Sequence, residues 1–299
     1  MLNKFFRRLR AKPATWRIPV LCYHSWTVQT GEYAGNDHIA LETDLKILAQ
    51  RGYAILPATH LAAVLAGQHS ASTLNDRKLA CITFDDGIDL DWHTRPGGNG
   101  EPQKSFAQIL REARIERYGK GPLATAFVIA SAEARSQLDS RAWRGQNEWN
   151  DDWWAQAAKE NIIGIANHSW DHVHTQLDQV QQKDNRKGSF LDIDTFEDAE
   201  KQVAAAHAEI NRLCENHILP LFGYPFGHIA PYLQQHYLPT QGARIGLHAA
   251  FSTCGRAATP NDSRWAIPRL VCGWHWHTTD EFNRMLDIIE QGNHLCSTG

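Results

Sequence analysis

The sequence predicts an α/β fold built on parallel strands, either a (β/α) barrel or a doubly wound sheet. Short apolar runs alternate with amphipathic stretches from residue 18 onward, a pattern that pairs strands in parallel and places helices outside them. No internal repeat or linker divides the 299 residues, a length that such barrels often occupy as one unit. The apolar run "KLACITF" ends in two adjacent acids, Asp85 and Asp86, with Gly87 behind them. In both architectures ligands gather at the carboxyl ends of strands.

Taken in order, "IPVLCYH" reads as the first strand and "LETDLKILAQRG" as a helix with Leu41, Leu45 and Leu48 on one face and Gly52 as its stop. "YAILP" is a strand, "THLAAVLAG" a helix, "KLACITF" a strand and "QKSFAQILREARIERYG" a helix closed by Gly119. Next come the strand "LATAFVIA", a tryptophan-rich helix near Asp151 to Glu160, the strand "IIGIAN" and the long helix "DTFEDAEKQVAAAHAEINRLCE". "LPLFGYPFG", "HAAFSTC" and "AIPRLVC" read as strands, and Thr278 with Glu281 forms a capping box that opens the last helix.

Composition narrows the function classes. A hydrophobic fraction of 42%, a charged fraction of 21% and a net charge of -3 describe a globular protein without a nucleic-acid surface. Sixteen histidines and eleven tryptophans are unusual counts; histidine suits metal or proton chemistry and tryptophan suits flat ligands such as sugar rings or core filling. The six cysteines, at 22, 81, 214, 254, 272 and 296, form no C-x-x-C pair and are expected to be reduced thiols. "MLNKFFRRLRAKPATW" is basic but lacks an apolar stretch long enough for a signal peptide, and no window approaches a membrane span. Residues 1–17 are therefore expected to be a basic solvated tail, residues 18–299 the barrel, and the location cytoplasmic.

Adjacent carboxylates repel each other, so the Asp85–Asp86 pair asks for a cation. At another strand end, "IIGIANHSWDHVH" supplies His168 and His172. On a helical turn that spacing puts both imidazoles on one face, and two histidines with one carboxylate leave a fourth position on tetrahedral zinc for water. Neighbouring side chains of an extended strand point apart, so one carboxylate can grip a metal while the other faces the water. His24, at the end of the first strand, faces the same mouth. His174 reads as a loop residue. Trp143, Trp149, Trp153 and Trp154 form either a sugar-stacking rim or the packing of an insertion, and Asp89, Asp91 and His93 either a solvated loop or a second ion site. The glycine-rich "TRPGGNGEP" is either a lid or a surface excursion.

"TFDDG" together with "NHSWDH" resembles the first two motifs of the polysaccharide deacetylase family, the NodB-homology domains of carbohydrate esterase family 4. "VLCYHS", "TAFVIA" and "FGYPFG" resemble its opening strand, its T-x-F-V strand and its third motif, and "AIPRL" resembles a late strand of the branch that includes poly-N-acetylglucosamine deacetylases. The resemblance spans roughly residues 18 to 290 in the family's motif order. It implies a distorted (β/α) barrel of about seven strands, one divalent metal ion, usually zinc, and removal of N-acetyl groups from an amino sugar or polysaccharide. It makes Asp86, His168 and His172 the metal ligands and Asp85 the general base, with the Phe226 backbone N–H on the oxyanion and Tyr224 and Trp170 also at the substrate. Gly223 stands where many members carry an arginine that orients the base, which leaves the base without an assigned partner. The family's late catalytic histidine has candidates in His275, favoured for its place after the last strand, in His277, and in His24 of the first strand. Two other readings stay open: a catalytically silent carbohydrate-binding protein, and a hydrolase of a smaller non-sugar amide.

Overall fold

The computed structural model describes residues 14–97 and 102–292. Among them are nine strands: β1 (Val20–Tyr23), β2 (Ala54–Ile55), β3 (Leu79–Asp86), β4 (Glu116–Arg117), β5 (Ala124–Val128), β6 (Ile163–Asn167), β7 (Leu221–Gly223), β8 (Ala249–Phe251) and β9 (Leu270–Val271). β3 lies between β1 and β5, with Tyr23 opposite Phe84 and Val128 opposite Asp86. Pairing continues through β6, β7 and β8, while β9 pairs with β1, all in parallel. A parallel bridge between Phe251 and Ile267, just ahead of β9, closes the path into a ring of seven strands. This is the distorted (β/α) barrel. β2 and β4 extend sideways from the start of β3.

The strands of the ring are mostly apolar because both their faces are covered. Val20, Cys81, Phe127, Ala166, Leu221, Ala249 and Phe251 pack in one cluster inside the ring. The alternate residues Leu21, Tyr23, Ile82, Phe84, Ala126 and Val128 pack in another, against the helices α1 (Asp37–Gln50), α3 (Phe106–Glu112), α5 (Trp154–Glu160) and α9 (Thr279–Glu290). Along β3 the inward parity of Cys81 and Thr83 continues to Asp85. Asn36 caps α1, its side chain accepting from the backbone N–H of His38 and Ile39. The Thr278 cap on α9 is formed as expected, accepting from Glu281 N–H, and the Glu281 carboxylate accepts from His277 N–H at 2.6 Å.

Several expectations differ from the fold. The helix expected to run to Gly119 ends at Glu112: Ala113 turns to φ -64, ψ 130, and Glu116–Arg117 pair with β2 instead. The long helix after Asp194 is interrupted by a π turn, Glu200–Ala205, between α6 (Phe196–Ala199) and α7 (Ala206–Leu213). α4 (Ala132–Ala142), capped by Ser131, was hidden because it carries no apolar stripe and buries Arg135 and Asp139 beside Ala134 and Leu138. Residues 1–13, residues 98–101 of the glycine-rich stretch and Cys296 lie outside the described residues. Trp16, at the end of the expected tail, is 5% exposed and packs with the inner cluster. The five described cysteines are free thiols, and no described helix is long and apolar enough to cross a membrane.

One buried carboxylate ties the barrel wall to its surroundings. Asp44 Oδ2 accepts from Tyr23 Oη at 2.9 Å and Trp276 Nε1 at 3.2 Å, and Oδ1 accepts from Tyr33 Oη at 2.6 Å. Burial pushes its carboxyl up to about 7, against the three donors that favour the charged form. Replacing Asp44 by Ala strands those donors, each unpaired buried group costing about 1–3 kcal/mol. Urea unfolding of Asp44→Ala is expected to show a loss of at least about 2 kcal/mol; a loss below about 0.5 kcal/mol contradicts the role given to this contact.

Candidate active site and metal centre

Both acids of the strand-terminal pair reach the same cavity, by different routes. Asp85 points into the ring because β3 is still extended there. Asp86 would face the other way by alternation, but its φ of 78° turns the chain and brings its carboxylate back to the mouth. Gly87 follows at φ 77°, where an added Cβ would lie 2.5 Å from Val128 Cγ1. The sequence expectation of carboxylates pointing apart is thus corrected by a left-handed residue at the strand end.

Trp26 Nε1 donates to Asp86 Oδ2 at 2.8 Å, which leaves Oδ1 directed at the two imidazoles. Asp86 Oδ1 stands 3.7 Å from His168 Nε2 and 3.7 Å from His172 Nε2. These separations are too long for hydrogen bonds. They are close to the roughly 3.3–3.6 Å between neighbouring ligands that each sit about 2.0–2.2 Å from one tetrahedral ion. His168 Nδ1 lies 2.9 Å from the Gly223 carbonyl oxygen, so the proton belongs on Nδ1 and Nε2 keeps its lone pair. Burial, and then the neighbouring His168, push the His172 imidazole down to about 3, so it is neutral at neutral pH and fit to ligate. The chemistry of the donor set therefore fits a divalent metal.

The histidine pair does not sit on a helical turn. Ser169, His172 and Val173 all have positive φ, at 74°, 61° and 50°. The loop is held by hydrogen bonds from Ser169 N–H to Asn167 Oδ1 (2.8 Å), His172 N–H to Ser169 Oγ (2.9 Å) and Val173 N–H to Asp171 Oδ1 (2.9 Å). Gln202 Nε2, from the π turn, donates to Asp171 Oδ1 at 2.7 Å, and Gln202 Oε1 accepts from Trp170 N–H. A π turn at a functional site serves here to aim one side chain at the loop.

The partner missing from position 223 is supplied by Arg269, just ahead of β9. Its two terminal nitrogens donate to Asp85 Oδ1 at 2.6 Å and Oδ2 at 2.8 Å, both residues being buried. Burial alone would raise the Asp85 carboxyl, but the Arg269 charge, followed by His168, holds it well below the usual carboxylate range. An arginine could not stand at 223. A Cβ there would lie 2.8 Å from the Phe127 ring and 3.1 Å from His168 Nδ1.

The other candidates divide. His24 lines the cavity, and its ring nitrogen lies within 4.8 Å of an Asp85 oxygen. His275 does not reach it: Nδ1 accepts from Val271 N–H at 2.8 Å, and the ring packs on Gly255, where a Cβ would come within 2.5 Å of Nε2. His277 is exposed and pairs with Glu281 at 3.3 Å. Phe226 lines the cavity at φ 56°, its ring edge-on to His172. Tyr224 is fully buried and donates to the Trp265 carbonyl at 3.0 Å, and Trp170 packs on the main core, so neither lines the cavity. Trp143 and Trp149 do line it, while Trp153 and Trp154 are core residues. His174 lines it beside Phe226. Asp89 is occupied with Asn150, accepting from its backbone and side-chain nitrogens at 2.7 Å each, and Asp91 is fully buried. Trp26, Trp274 and Arg269 were not found by the sequence reading, although "AIPRL" was singled out as a strand.

A second donor group, Cys22, His24 and Asp85, lies within the described residues. It makes a poor metal site. Burial pushes the Cys22 thiol well up, keeping it protonated, and Arg269 already engages both Asp85 oxygens.

No protein-family model and no curated protein matches the sequence. Solved structures do. The chain shares its fold with polysaccharide deacetylases. IcaB from Ammonifex degensii superposes with a TM-score of 0.62 at 18% identity, covering 92% of this chain and 97% of that one. The Streptococcus pyogenes deacetylase PplD, solved with acetate, gives 0.58 at 14%, covering 90% and 97%. The de-N-acetylase from Aggregatibacter actinomycetemcomitans gives 0.54 at 16%, covering 85% and 94%.

Removing the Arg269 charge leaves Asp85 buried and uncompensated, a change that typically costs about 3–5 kcal/mol. Arg269→Met is expected to lose that much in urea unfolding and to regain part of it in the double variant with Asp85→Asn. A loss below about 1 kcal/mol, or a double variant no better than the single, contradicts the pairing.

Proposed function

We propose that the chain is a metal-dependent N-deacetylase that hydrolyses the acetamide of an N-acetylated amino sugar or polysaccharide. One observation carries the reading: an Asp–His–His donor set stands beside a second carboxylate that Arg269 keeps ionised. Asp86, His168 and His172 would hold the ion, zinc in our reading, which when bound supplies a Lewis acid and makes water a stronger nucleophile at neutral pH. Asp85 accepts the water proton; the Arg269 fork holds its carboxylate in place. His24, at the same mouth, donates a proton to the departing amine, a role for which His275 is turned the wrong way. The Phe226 backbone N–H is assigned to the oxyanion. Trp26 acts through Asp86, fixing which oxygen faces the imidazoles.

The deacetylase neighbours and the Asp85–Arg269 pair support turnover over silent carbohydrate binding, since a binder has no use for an ionised carboxylate beside its metal ligands. The expected barrel domain, residues 18–299, and the acetylated-sugar substrate belong to the same proposal.

Purified protein should carry one zinc per chain and release acetate from N-acetylglucosamine oligomers. Asp86→Ala should lose the metal. Asp85→Asn and His24→Ala should keep it yet lose about 10²–10⁴-fold in rate. Equal metal loss in Asp85→Asn and Asp86→Ala would contradict the division of roles, and full activity in His24→Ala with loss in His275→Ala would return the acid to the last strand.

A further inference from the structure

The cavity around the Asp–His–His set, of ≈ 250 Å³, has two unlike sides. On one side Ile129, Leu138, Ala142, Trp143 and Trp149 form a wall, most of it from the long insertion after β5. The side chains of these five residues carry two polar atoms, the indole nitrogens, and both are engaged. Trp149 Nε1 donates to the Asp86 carbonyl at 3.0 Å and Trp143 Nε1 to Glu148 Oε2 at 3.3 Å. A sugar could stack its C–H face on the two indoles, but its hydroxyls would find no side-chain partner in this wall, and any that it buried there would cost affinity. An apolar chain would not.

On the other side, His24, Trp26, Val271 and Trp274 line this cavity and also a second one of ≈ 300 Å³, which carries Thr27, Gln29, Asp37 and His277. The proton donor assigned above thus stands on the divide. The nitrogen it serves is assigned to the second cavity, where Thr27, Gln29 and Asp37 stand among Tyr33, Val271 and Trp274, and the acyl carbon's substituent to the apolar wall. A water molecule needs only about 10–15 Å³ by the same measure of volume. The cavity as a whole, shared by the reacting groups and the acyl substituent, is many times that size.

We infer that the site takes N-acyl amides whose acyl chain is longer than acetyl, its tail lying along the Leu138–Trp149 wall and a polar amine, such as an amino sugar, in the second cavity. This rests on the amide-hydrolase reading and changes its substrate. The water oxygen forms the new C–O bond, the C–N bond breaks, and both water protons end on the nitrogen, releasing a carboxylate and an ammonium.

The test uses the zinc-loaded full chain with N-acetyl-, N-butanoyl- and N-hexanoylglucosamine, following released amine. In parallel, calorimetry measures the binding of acetate, butanoate and hexanoate, a readout that needs no turnover. Each buried methylene should raise kcat/KM and carboxylate affinity about fourfold, hence roughly 15-fold from the two-carbon to the four-carbon chain. Ala142, exposed at the end of α4, can be enlarged without disturbing the core. Ala142→Trp should lower the hexanoyl-to-acetyl ratio at least about tenfold. Cleavage that falls with chain length, with hexanoate binding no tighter than acetate, overturns the inference while the hydrolase reading stands. An unchanged ratio in Ala142→Trp also overturns it. If no amide is cleaved and hexanoate still binds tighter than acetate, the pocket stands and the hydrolase reading falls.

Discussion

The site is organised around a carboxylate inside a barrel. Asp85 follows the inward parity of β3 into a ring otherwise filled by Val20, Cys81, Phe127, Leu221 and Phe251, and a buried charge there is tolerated only with a matched partner. Arg269 meets both of its oxygens and is itself satisfied by Ser252 O at 3.1 Å through Nε, with its guanidinium 5.1 Å over the Phe127 ring. The position that faces this pair across the ring, 223, must then stay without a side chain. Its glycine lets the Phe127 ring and His168 close in, and its carbonyl fixes the His168 tautomer. The placement of Asp85, the arginine that grips it and the orientation of His168 are consequences of one packing arrangement.

Above that layer, the mouth is built from backbone that most residues avoid. Asp86, Ser169, His172, Val173 and Phe226 are non-glycine residues with positive φ, a concentration that marks functional sites where surrounding contacts hold the strain. The restraints are visible: the indole of Trp26 on Asp86, the Asn167, Ser169 and Asp171 side chains on the histidine loop, and Gln202 behind Asp171. Gly227 completes the set, since a Cβ there would fall 1.7 Å from Thr253 Oγ1.

The parallel α/β architecture was legible because strand and helix periods alternate cleanly, and the grouping of Asp86, His168 and His172 was legible because Asp86 ends one strand and the two histidines follow closely on the end of another. What sequence could not supply were relations between distant elements. Arg269 looked like part of an apolar strand; nothing local says that it crosses the ring to Asp85. His275 looked suitable by order along the chain, yet its ring is spent on the Val271 N–H. Tyr224 carried the family's motif position and proved to be core. α4 was invisible because its buried face includes Arg135 and Asp139 rather than an apolar stripe, and with it the apolar wall of the cavity.

The most direct test of the account is X-ray absorption at the zinc edge of the zinc-loaded protein. A shell of nitrogen and oxygen at about 2.0–2.2 Å with scattering from two imidazoles is expected, the signature of Asp86, His168 and His172. A sulfur neighbour at about 2.3 Å would place the ion at Cys22 and contradict it.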